Sequence, residues 1–393
     1  MERLCVFVAF DTLINKPRYI AIKSGENDAK IIELFKGKGS KRPLSQSIGR
    51  LDKLKTIIES ALQTRTLITS DFKYLIELFN IDYQDYNSNV YDLHITLPPD
   101  KITEANINRV VEKMYNAKPK DYQRLISDSS IVYSDLQRRG VDINHIRHYP
   151  KWSIDTFSGR SKNVGVNIQG WSENDLIRPP GYTENDYLIH FDWICADIRI
   201  ASIMSGDKLL QDSFYDEDPY EVVAKTLRDQ KLSRNDAKTL LLKSINSMDF
   251  TSEVFTDVYK DLGRWIFVNS NKECTSTILG RNFHRKFAKN NLALFNATMQ
   301  GSVVHAMQST IKKVWDMYPS KLLTEVHDSL VVCASQNEIK PIITSIAEVM
   351  AHPFSGFLDA NPFFPLKISI GKKWKKWKEA YVYRESTGLR KLV

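Results

Sequence analysis

Two apolar segments of this chain carry acids inside them: LIHFDWICADI at Leu188–Ile198 and LLTEVHDSLVVCA at Leu322–Ala334. Both are predicted to form strands. An unpaired buried carboxylate is costly, so such an Asp is usually paired, bound to a metal or facing a cleft. The acids concerned are Asp192, Asp197 and Asp328. Carboxylates from two strands supply the hard oxygen ligands of Mg²⁺, so Asp192 and Asp328 are predicted to hold two Mg²⁺ ions, which Mn²⁺ could replace. For either Asp alone, a turn or a salt bridge at a strand end is the alternative.

The composition is that of an ordinary soluble globular protein. The 393 residues are 42% hydrophobic, which is enough for one large core or several smaller ones. Lys and Arg outnumber Asp and Glu by 55 to 47, and the formal charge of +8 suits a polyanionic partner without establishing one. The apolar run Cys5–Phe10 is too short to span a bilayer, so a buried strand and no membrane association are predicted. The cysteines are far apart and favour a reduced, cytoplasmic chain: Cys5, Cys195, Cys274 and Cys333.

The first 95 or so residues alternate between strand-like and helix-like patterns, which predicts a small α/β unit. Residues 103–140 are mostly helical in pattern, and Gly140 is in the usual position for a helix C-terminal cap. Beyond residue 150, strands and helices are mixed without a repeat. The early strands are predicted at Cys5–Phe10, Tyr19–Ile22 and Leu67–Thr69, and the early helices at Leu51–Leu62 and Phe72–Phe79.

A basic helix is predicted between the two acidic strands, within Lys231–Asp249. Ser233 is a plausible N-cap, and Arg234 and Lys238 are four residues apart on one helical face. Two cations in this arrangement could bind a triphosphate. A solvated basic face is the usual meaning of such a pair and stays the alternative.

An acid-bearing strand, a helix with Arg-x-x-x-Lys and a hairpin with His-Asp follow one another in the order of motifs A, B and C of family A DNA polymerases, which this sequence resembles. Motif A corresponds to Asp192–Arg199, followed by Ser205-Gly206-Asp207, and motif C to Val326–Ser329. Asp218-Pro219-Tyr220 is similar to the Asp-x-His of the family. The resemblance covers about residues 150–385.

Further segments resemble parts of the family that contact nucleic acid. They are Ser158-Gly159-Arg160, Asn167-Ile168-Gln169, Leu279-Gly280-Arg281 and Asn296–Gly301, with Pro365-Leu366, Gly371, Trp374 and Ala380 in the closing segment. The residues that this resemblance assigns to a primer–template duplex are Arg160, Asn167, Gln169, Arg281, Asn296, Gln300 and His327.

The resemblance implies a DNA-directed DNA polymerase that extends a primer 3′-hydroxyl with deoxynucleoside triphosphates. Asp192, Asp328 and the backbone carbonyl of Trp193 would hold the metals, and Lys238 could also protonate the leaving pyrophosphate. The positions assigned to the nucleotide are Arg234, Lys238, Asp197, Leu242 and Asn246. The expected fold is α+β: a right-hand polymerase with a palm and reduced fingers and thumb, preceded by a small α/β RNase H-like exonuclease remnant. The expected domains are 1–98 (degraded 3′–5′ exonuclease), 99–150 (helical linker and vestigial thumb), 151–204 (palm), 205–290 (reduced fingers) and 291–393 (palm).

The nucleotide site departs from the family pattern. Leu242 and Asn246-Ser247 stand where the family has aromatic residues and Gly, Asp197 replaces a Glu that gates against the ribose 2′-OH, and Leu292 replaces an Arg. Ser329 replaces the acid after the motif C Asp, and His-Asp-Ser also occurs in single-subunit RNA polymerases. An RNA polymerase or primase is therefore one alternative. A non-catalytic nucleic-acid-binding protein on a polymerase palm is another.

Proofreading and processivity are expected to be weak. Leu13 and Leu75 occupy positions where the exonuclease carries metal-binding acids, near Asp11 and Asp71. Because the thumb is largely absent, low processivity is expected unless a replication partner protein or a basic cluster compensates, and a viral or plasmid enzyme fits this architecture. Trp374 and Trp377 within the cluster are interpreted as packing anchors, with base stacking as the alternative. The cluster comprises Lys372, Lys373, Lys375, Lys376 and Lys378.

Overall fold

The computed structural model divides the chain into two compact units, Met1–Asp135 and Leu136–Val393. The residues it describes are 3–11, 16–24, 30–33, 45–64, 66–79, 90–93, 104–116, 118, 120–154, 156, 158–170, 175–216, 218–227 and 231–392. The finer division into thumb, palm and fingers stays a prediction.

The first unit contains a mixed five-stranded sheet in the order β3-β2-β1-β4-β5. The central strand β1 is antiparallel to β2 and parallel to β4, and β4 is parallel to β5. Cys5 and Phe7 on β1 pack with Val111 and Met114 of the helix α3 in the core. The elements are β1 (Arg3–Asp11), β2 (Lys16–Ser24), β3 (Lys30–Glu33), α1 (Ser45–Thr64), β4 (Thr66–Thr69), α2 (Phe72–Phe79), β5 (Val90–Asp92), α3 (Glu104–Tyr115) and α4 (Asp121–Arg139), whose residues from Leu136 onward belong to the second unit.

The predicted α/β character of this unit is confirmed, because every early strand and helix expected from the sequence is present. Leu75 is fully buried in α2, where it packs as a core residue. The backbone amide of Phe72 at the start of α2 donates to Asp92 at 2.7 Å, so that buried acid holds a helix N-terminus. Leu13 lies outside the described residues, as do the side-chain surroundings of Asp11.

Gly140 ends α4 as the sequence predicts. Its φ of +73° lies in the left-handed region, and its amide donates to the carbonyl of Leu136 at 3.0 Å. Short strands follow before the large sheet: β6 (Val141–Ile143), β7 (Ile146–His148), β8 (Lys151–Ser153), β9 (Lys162–Val164) and β10 (Ile177–Arg178), with a 3₁₀ turn at Ile168–Gly170.

The second unit is built on a six-stranded antiparallel sheet in the order β14-β15-β11-β16-β17-β18. Side chains alternate between its faces, so Asp192 and His190 of β11 lie on one face and Trp193 on the other. Trp193 donates from Nε1 to the carbonyl of Met350 at 2.8 Å, which places α11 on the face opposite Asp192. The elements are β11 (Tyr187–Trp193), β14 (Leu322–Val326), β15 (Ser329–Ala334), α11 (Ile339–Ala351), β16 (Leu366–Lys373), β17 (Lys376–Arg384) and β18 (Gly388–Lys391).

A helical layer with its own core lies between β11 and β14 in the sequence. Tyr259 is fully buried in it and donates from its hydroxyl to the carbonyl of Pro219 at 2.6 Å. Phe295 and Leu241 belong to the same cluster, so the cluster includes residues of both α8 and α10. The elements are α5 (Ala196–Ser205), α6 (Lys208–Asp216), α7 (Pro219–Thr226), α8 (Arg234–Ser247), a π-helical turn (Val254–Val258), α9 (Lys260–Ser270), β12 (Cys274–Ser276), β13 (Asn282–His284) and α10 (Asn291–Met317).

The interpretation of the two tryptophans in the lysine cluster as packing anchors is confirmed. Trp374 is 1% exposed within a hydrophobic cluster, and Trp377 packs against the same cluster and stacks on His190 with ring centroids 4.6 Å apart. In the described part of the chain, no helix is both long enough and apolar enough to cross a membrane.

Candidate active site

Asp192 and Asp328 meet at one end of the sheet. Asp192 is the penultimate residue of β11 and pairs with Ser329 on β15. Asp328 lies in the tight turn between β14 and β15, where His327 has φ of 61°. The amide of Trp193 donates to the carbonyl of Asp328 at 3.4 Å. The pairing of β11 with β15 therefore brings together two acids that are far apart in the sequence.

Burial makes ionisation of these acids unfavourable. It raises the pKa of Asp192 to about 7, with a further increase from the charge of Asp328, while Lys367 opposes the shift. The pKa of Asp328 is also raised by burial, although Arg160 and His327 counteract the shift. A cation bound near these two half-buried carboxylates would stabilise their ionised forms and so offset the cost of burying their charges.

The acid pair fits a magnesium site in its chemistry. The adjoining residues offer two carboxylates and backbone carbonyl oxygens, and Mg²⁺ commonly binds through one or two carboxylates while keeping several waters. Among the described residues, no group of three or more His, Cys, Asp or Glu side chains is placed to hold a metal ion. Any metal at this position therefore depends on the acid pair together with backbone, water and substrate oxygens.

The prediction that Asp197 lies within a strand is wrong. β11 ends at Trp193, and Cys195 adopts a left-handed conformation with φ of 56°, which starts α5 at Ala196. Asp197 therefore lies in the first turn of α5. The apolar pattern does not reveal the change from strand to helix, because the residues of both elements are largely buried and give one continuous apolar run. Arg160 approaches Asp197, with Nη2 at 3.9 Å from Oδ2, whereas Oδ1 is buried and has no hydrogen-bond partner among the described residues.

The basic helix is present and begins where the sequence predicts. Ser233 caps α8 and forms a reciprocal capping box with Asp236. Arg234 is 2.6 Å from the buried carboxylate of Asp218, which also caps α7. Arg234 and Lys238 lie over the ring of Tyr220, at 5.3 and 5.8 Å from its centroid.

Tyr220 connects this basic face to the end of β11. Its hydroxyl interacts with the thiol of Cys195, which lies three residues after Asp192. Burial, with that thiol as a further cause, raises the pKa of Tyr220 well above its usual range, so the ring stays neutral beneath the two cations. The structure thus brings the predicted triphosphate-binding cations to the β11–α5 junction.

Leu242 and Asn246 differ in their surroundings on α8. Leu242 is half-buried and packs against the helical core, whereas Asn246 is exposed. The nucleotide-binding role of both positions stays a prediction. A Leu that packs into its own layer offers less flat surface to a base than an aromatic ring.

The residues assigned to nucleic acid lie on several elements of the second unit, and two of the segments that carry them are in contact. Gly159 has φ of +86°, and a Cβ there would collide with the guanidinium of Arg281. Arg281 donates from Nη1 to the carbonyl of Ser158 at 3.2 Å, so the segment that carries Arg160 is held beside Arg281.

The other assigned residues lie on three elements. Asn296 and Gln300 are half-buried and one turn apart on α10, and His327 is exposed at the turn between β14 and β15. Asn167 is exposed beside the 3₁₀ turn that contains Gln169, whose side chain is outside the described part of the chain. Direct contact of these side chains with nucleic acid stays a prediction.

Lys367 is a residue that sequence reasoning missed. It pairs with Asp192 across β11 and β16, and it lies 3.0 Å from Glu379. A signal was present in the sequence, because Lys367 interrupts the apolar residues Leu366 and Ile368 soon after Pro365. Only the strand pairing shows that this cation faces the acid pair.

One of three comparisons with known proteins finds a similar fold. No protein-family model and no curated protein matches this sequence. Among solved structures, the chain is similar to the POL domain of Pol1 from M. smegmatis, determined in complex with DNA primer-template and dNTP. The TM-score is 0.50 at 14% identity, and the match covers 84% of this chain and 66% of that chain, so this chain spans about two thirds of its length. This chain therefore has a mixed α+β fold that resembles a DNA polymerase POL domain.

Proposed function

We propose that this protein is a template-directed nucleotidyltransferase that extends a primer 3′-hydroxyl with deoxynucleoside triphosphates on a DNA template. The observation that carries the proposal is the meeting of Asp192 and Asp328 at one end of the sheet. Through Tyr220 and Cys195, the Arg234–Lys238 face of α8 adjoins the β11–α5 junction that follows Asp192. A fold similar to a POL domain supports the same conclusion.

Each group in the site would have a distinct role. Asp192, Asp328 and the backbone carbonyl of Trp193 would hold two Mg²⁺ ions, which when bound activate the primer hydroxyl and neutralise phosphate charge. Arg234, held by Asp218 at 2.6 Å, would orient the triphosphate. Lys238 is exposed on the same face and would donate a proton to the departing pyrophosphate.

The sugar of the incoming nucleotide would lie near Asp197. Its carboxylate is held in the first turn of α5 with Arg160 nearby, and it is one methylene shorter than Glu. A shorter acid leaves more room near the ribose 2′-hydroxyl. We therefore expect deoxynucleotides to be preferred by a smaller margin than a Glu at this position would give.

The first unit would be an exonuclease remnant without proofreading. The mixed sheet around β1 supports an α/β module of this kind, and the buried Leu75 offers no carboxylate to a metal. Incubating the protein with a mismatched primer and Mg²⁺, without nucleotides, tests this: release of 3′-terminal nucleotides contradicts the interpretation.

Primer extension by Asp192→Asn and Asp328→Asn proteins tests the activity. Because each variant removes a metal-binding charge, the rate of extension with Mg²⁺ is expected to fall by about 10²–10⁴-fold. Asp359→Asn is the matched control, since Asp359 is exposed in a turn outside the strands of the sheet. Wild-type rates in both site variants would overturn the site assignment. Separate reactions with NTPs and without primer identify an RNA polymerase or primase.

A further inference from the structure

A basic pocket lies at the edge of the large sheet, outside the site described above. The pocket, here called the β17–β18 pocket, has a volume of about 260 Å³. Its lining includes three cationic residues and two hydroxyl-bearing residues, together with two apolar ones: Val382, Arg384, Ser386, Thr387, Arg390, Lys391 and Leu392.

The register of the sheet relates this pocket to the acid pair. Asp192 pairs with Lys367, Lys367 with Val382, and Val382 with Arg390. Directly paired residues point to the same face of a sheet, so Arg390 shares the face of Asp192. Arg384 is two residues after Val382 on the same strand and therefore shares it too. Three strand spacings separate the two ends of this row, or roughly 14 Å.

The turn that forms the pocket is held in place. Ser386 donates from its hydroxyl to the carbonyl of Tyr215 on α6 at 3.0 Å. The pairing of Arg384 with Gly388 closes the two strands in regular register. A fixed turn presents its cations with less loss of conformational entropy on binding than a mobile one.

Basic residues on an edge strand also have a simpler explanation, because they prevent pairing between sheets of different molecules. Arg390 and Lys391 on β18 fit that explanation. Arg384 is the last residue of β17, one strand inside the edge, where it pairs with Gly388 of β18. Three cations that line one concave pocket point to an anionic ligand, which protection of an edge strand does not require.

The size of the pocket limits the ligand. Pockets that enclose a whole small ligand usually measure about 300–1,000 Å³, so this one suits a segment of a longer molecule. Arg favours planar, bidentate recognition of phosphate, and hydroxyl groups add further hydrogen bonds. The combination fits one phosphodiester group of a polynucleotide.

We propose that the β17–β18 pocket binds a phosphodiester of the nucleic-acid strand whose reacting end lies at Asp192 and Asp328. This inference rests on the proposed function, because it takes the strand at the acid pair as given. Such a contact would add to the affinity for the nucleic-acid backbone, which a reduced thumb would lower.

The salt dependence of binding measures this contact. The full chain is titrated onto a labelled primer–template at increasing NaCl, and the slope of log K against log [NaCl] is determined. Loss of one phosphate contact lowers the magnitude of the slope by about one, so Arg390→Gln is expected to show that change. Lys340→Gln is the control of equal charge, because Lys340 is exposed on α11, which packs on the opposite face of the sheet.

The outcomes separate the pocket from the activity. Equal slopes for Arg390→Gln and Lys340→Gln, with primer extension by the wild type intact, would refute the pocket assignment alone. Absence of binding by the wild type would refute both proposals. Inorganic phosphate and pyrophosphate are added as competitors. If low concentrations of either remove the difference in slope between the wild type and Arg390→Gln, the pocket binds free phosphate and not a phosphodiester of the nucleic-acid strand. Unchanged thermal unfolding of Arg390→Gln establishes that its fold is intact.

Discussion

Replacing Asp192 by Asn is expected to stabilise the metal-free protein, and the gain in free energy of unfolding should grow with pH. Burial and the neighbouring Asp328 raise the pKa of Asp192 from 3.8 to about 7. The folded state therefore holds the proton more tightly than the unfolded state. Stability falls as pH rises from the unfolded pKa to the folded one, and the full cost applies above the folded pKa. Asn imitates the protonated form and avoids this cost.

The size of the effect follows from the shift. Three pKa units correspond to an upper limit of about 4 kcal/mol above the folded pKa, at 1.36 kcal/mol per unit. At about pH 5 the cost is only about 1–2 kcal/mol, because this pH is little more than one unit above the pKa of the carboxyl group in the unfolded chain. Water near this half-buried group screens part of the penalty. The gain from Asp192→Asn is therefore expected to be roughly 1–3 kcal/mol larger at about pH 8 than at about pH 5.

Urea unfolding followed by far-ultraviolet circular dichroism, with a chelator present, measures this difference. Asp359→Asn is the control, and its effect should be small at both pH values. Mg²⁺ should raise the stability of the wild type more than that of Asp192→Asn, because a ligand that binds the folded state stabilises it. A gain that is the same at both pH values, or a less stable variant at about pH 8, would refute the reasoning.

Two further substitutions probe the surroundings of the acid pair. Asp218→Asn removes the charge that holds Arg234 at 2.6 Å but keeps a side chain able to cap α7. The KM for nucleotide is therefore expected to rise about three- to tenfold, with a smaller change in kcat. Steady-state kinetics measure both constants, and an unchanged KM would contradict the role of Arg234. Gly159→Ala places a methyl group against Arg281 at a φ of +86° and should cost about 1–3 kcal/mol of stability and weaken primer–template binding. Gly165→Ala is its control, because φ is +85° there with open space around the Cβ, and equal effects of the two on DNA binding would show that the Arg281 contact is irrelevant.

Local features of the chain were predictable because they depend on neighbouring residues. Ser233 marks the start of α8 through its hydroxyl and the acid three residues later, and Gly140 ends α4 through its left-handed conformation. The helix Phe72–Phe79 has the bounds expected from its apolar spacing. In these cases the determining interaction spans one helical turn.

Asp197 shows where such reasoning fails. The segment after Asp192 is apolar throughout, so periodicity alone cannot distinguish the end of β11 from the start of α5. The change depends on the left-handed conformation of Cys195, and no Gly or Pro signals it. Leu242 is a similar case, because its position in the helix is predictable but its packing against the helical core is not.

The sequence by itself determined which residues are available: two acids in apolar strands, a capped helix with two cations on one face, and the order of these segments along the chain. The tertiary structure decided which of them meet. β11 pairs with β15 on one side and β16 on the other. This pairing places Asp192 beside Asp328 and makes Lys367 its cross-strand partner, on the same face of the sheet as Arg390. Strand partners distant in sequence are selected by the packing of the whole sheet, and so is the burial that raises the pKa of Asp192, because neither depends on local sequence alone.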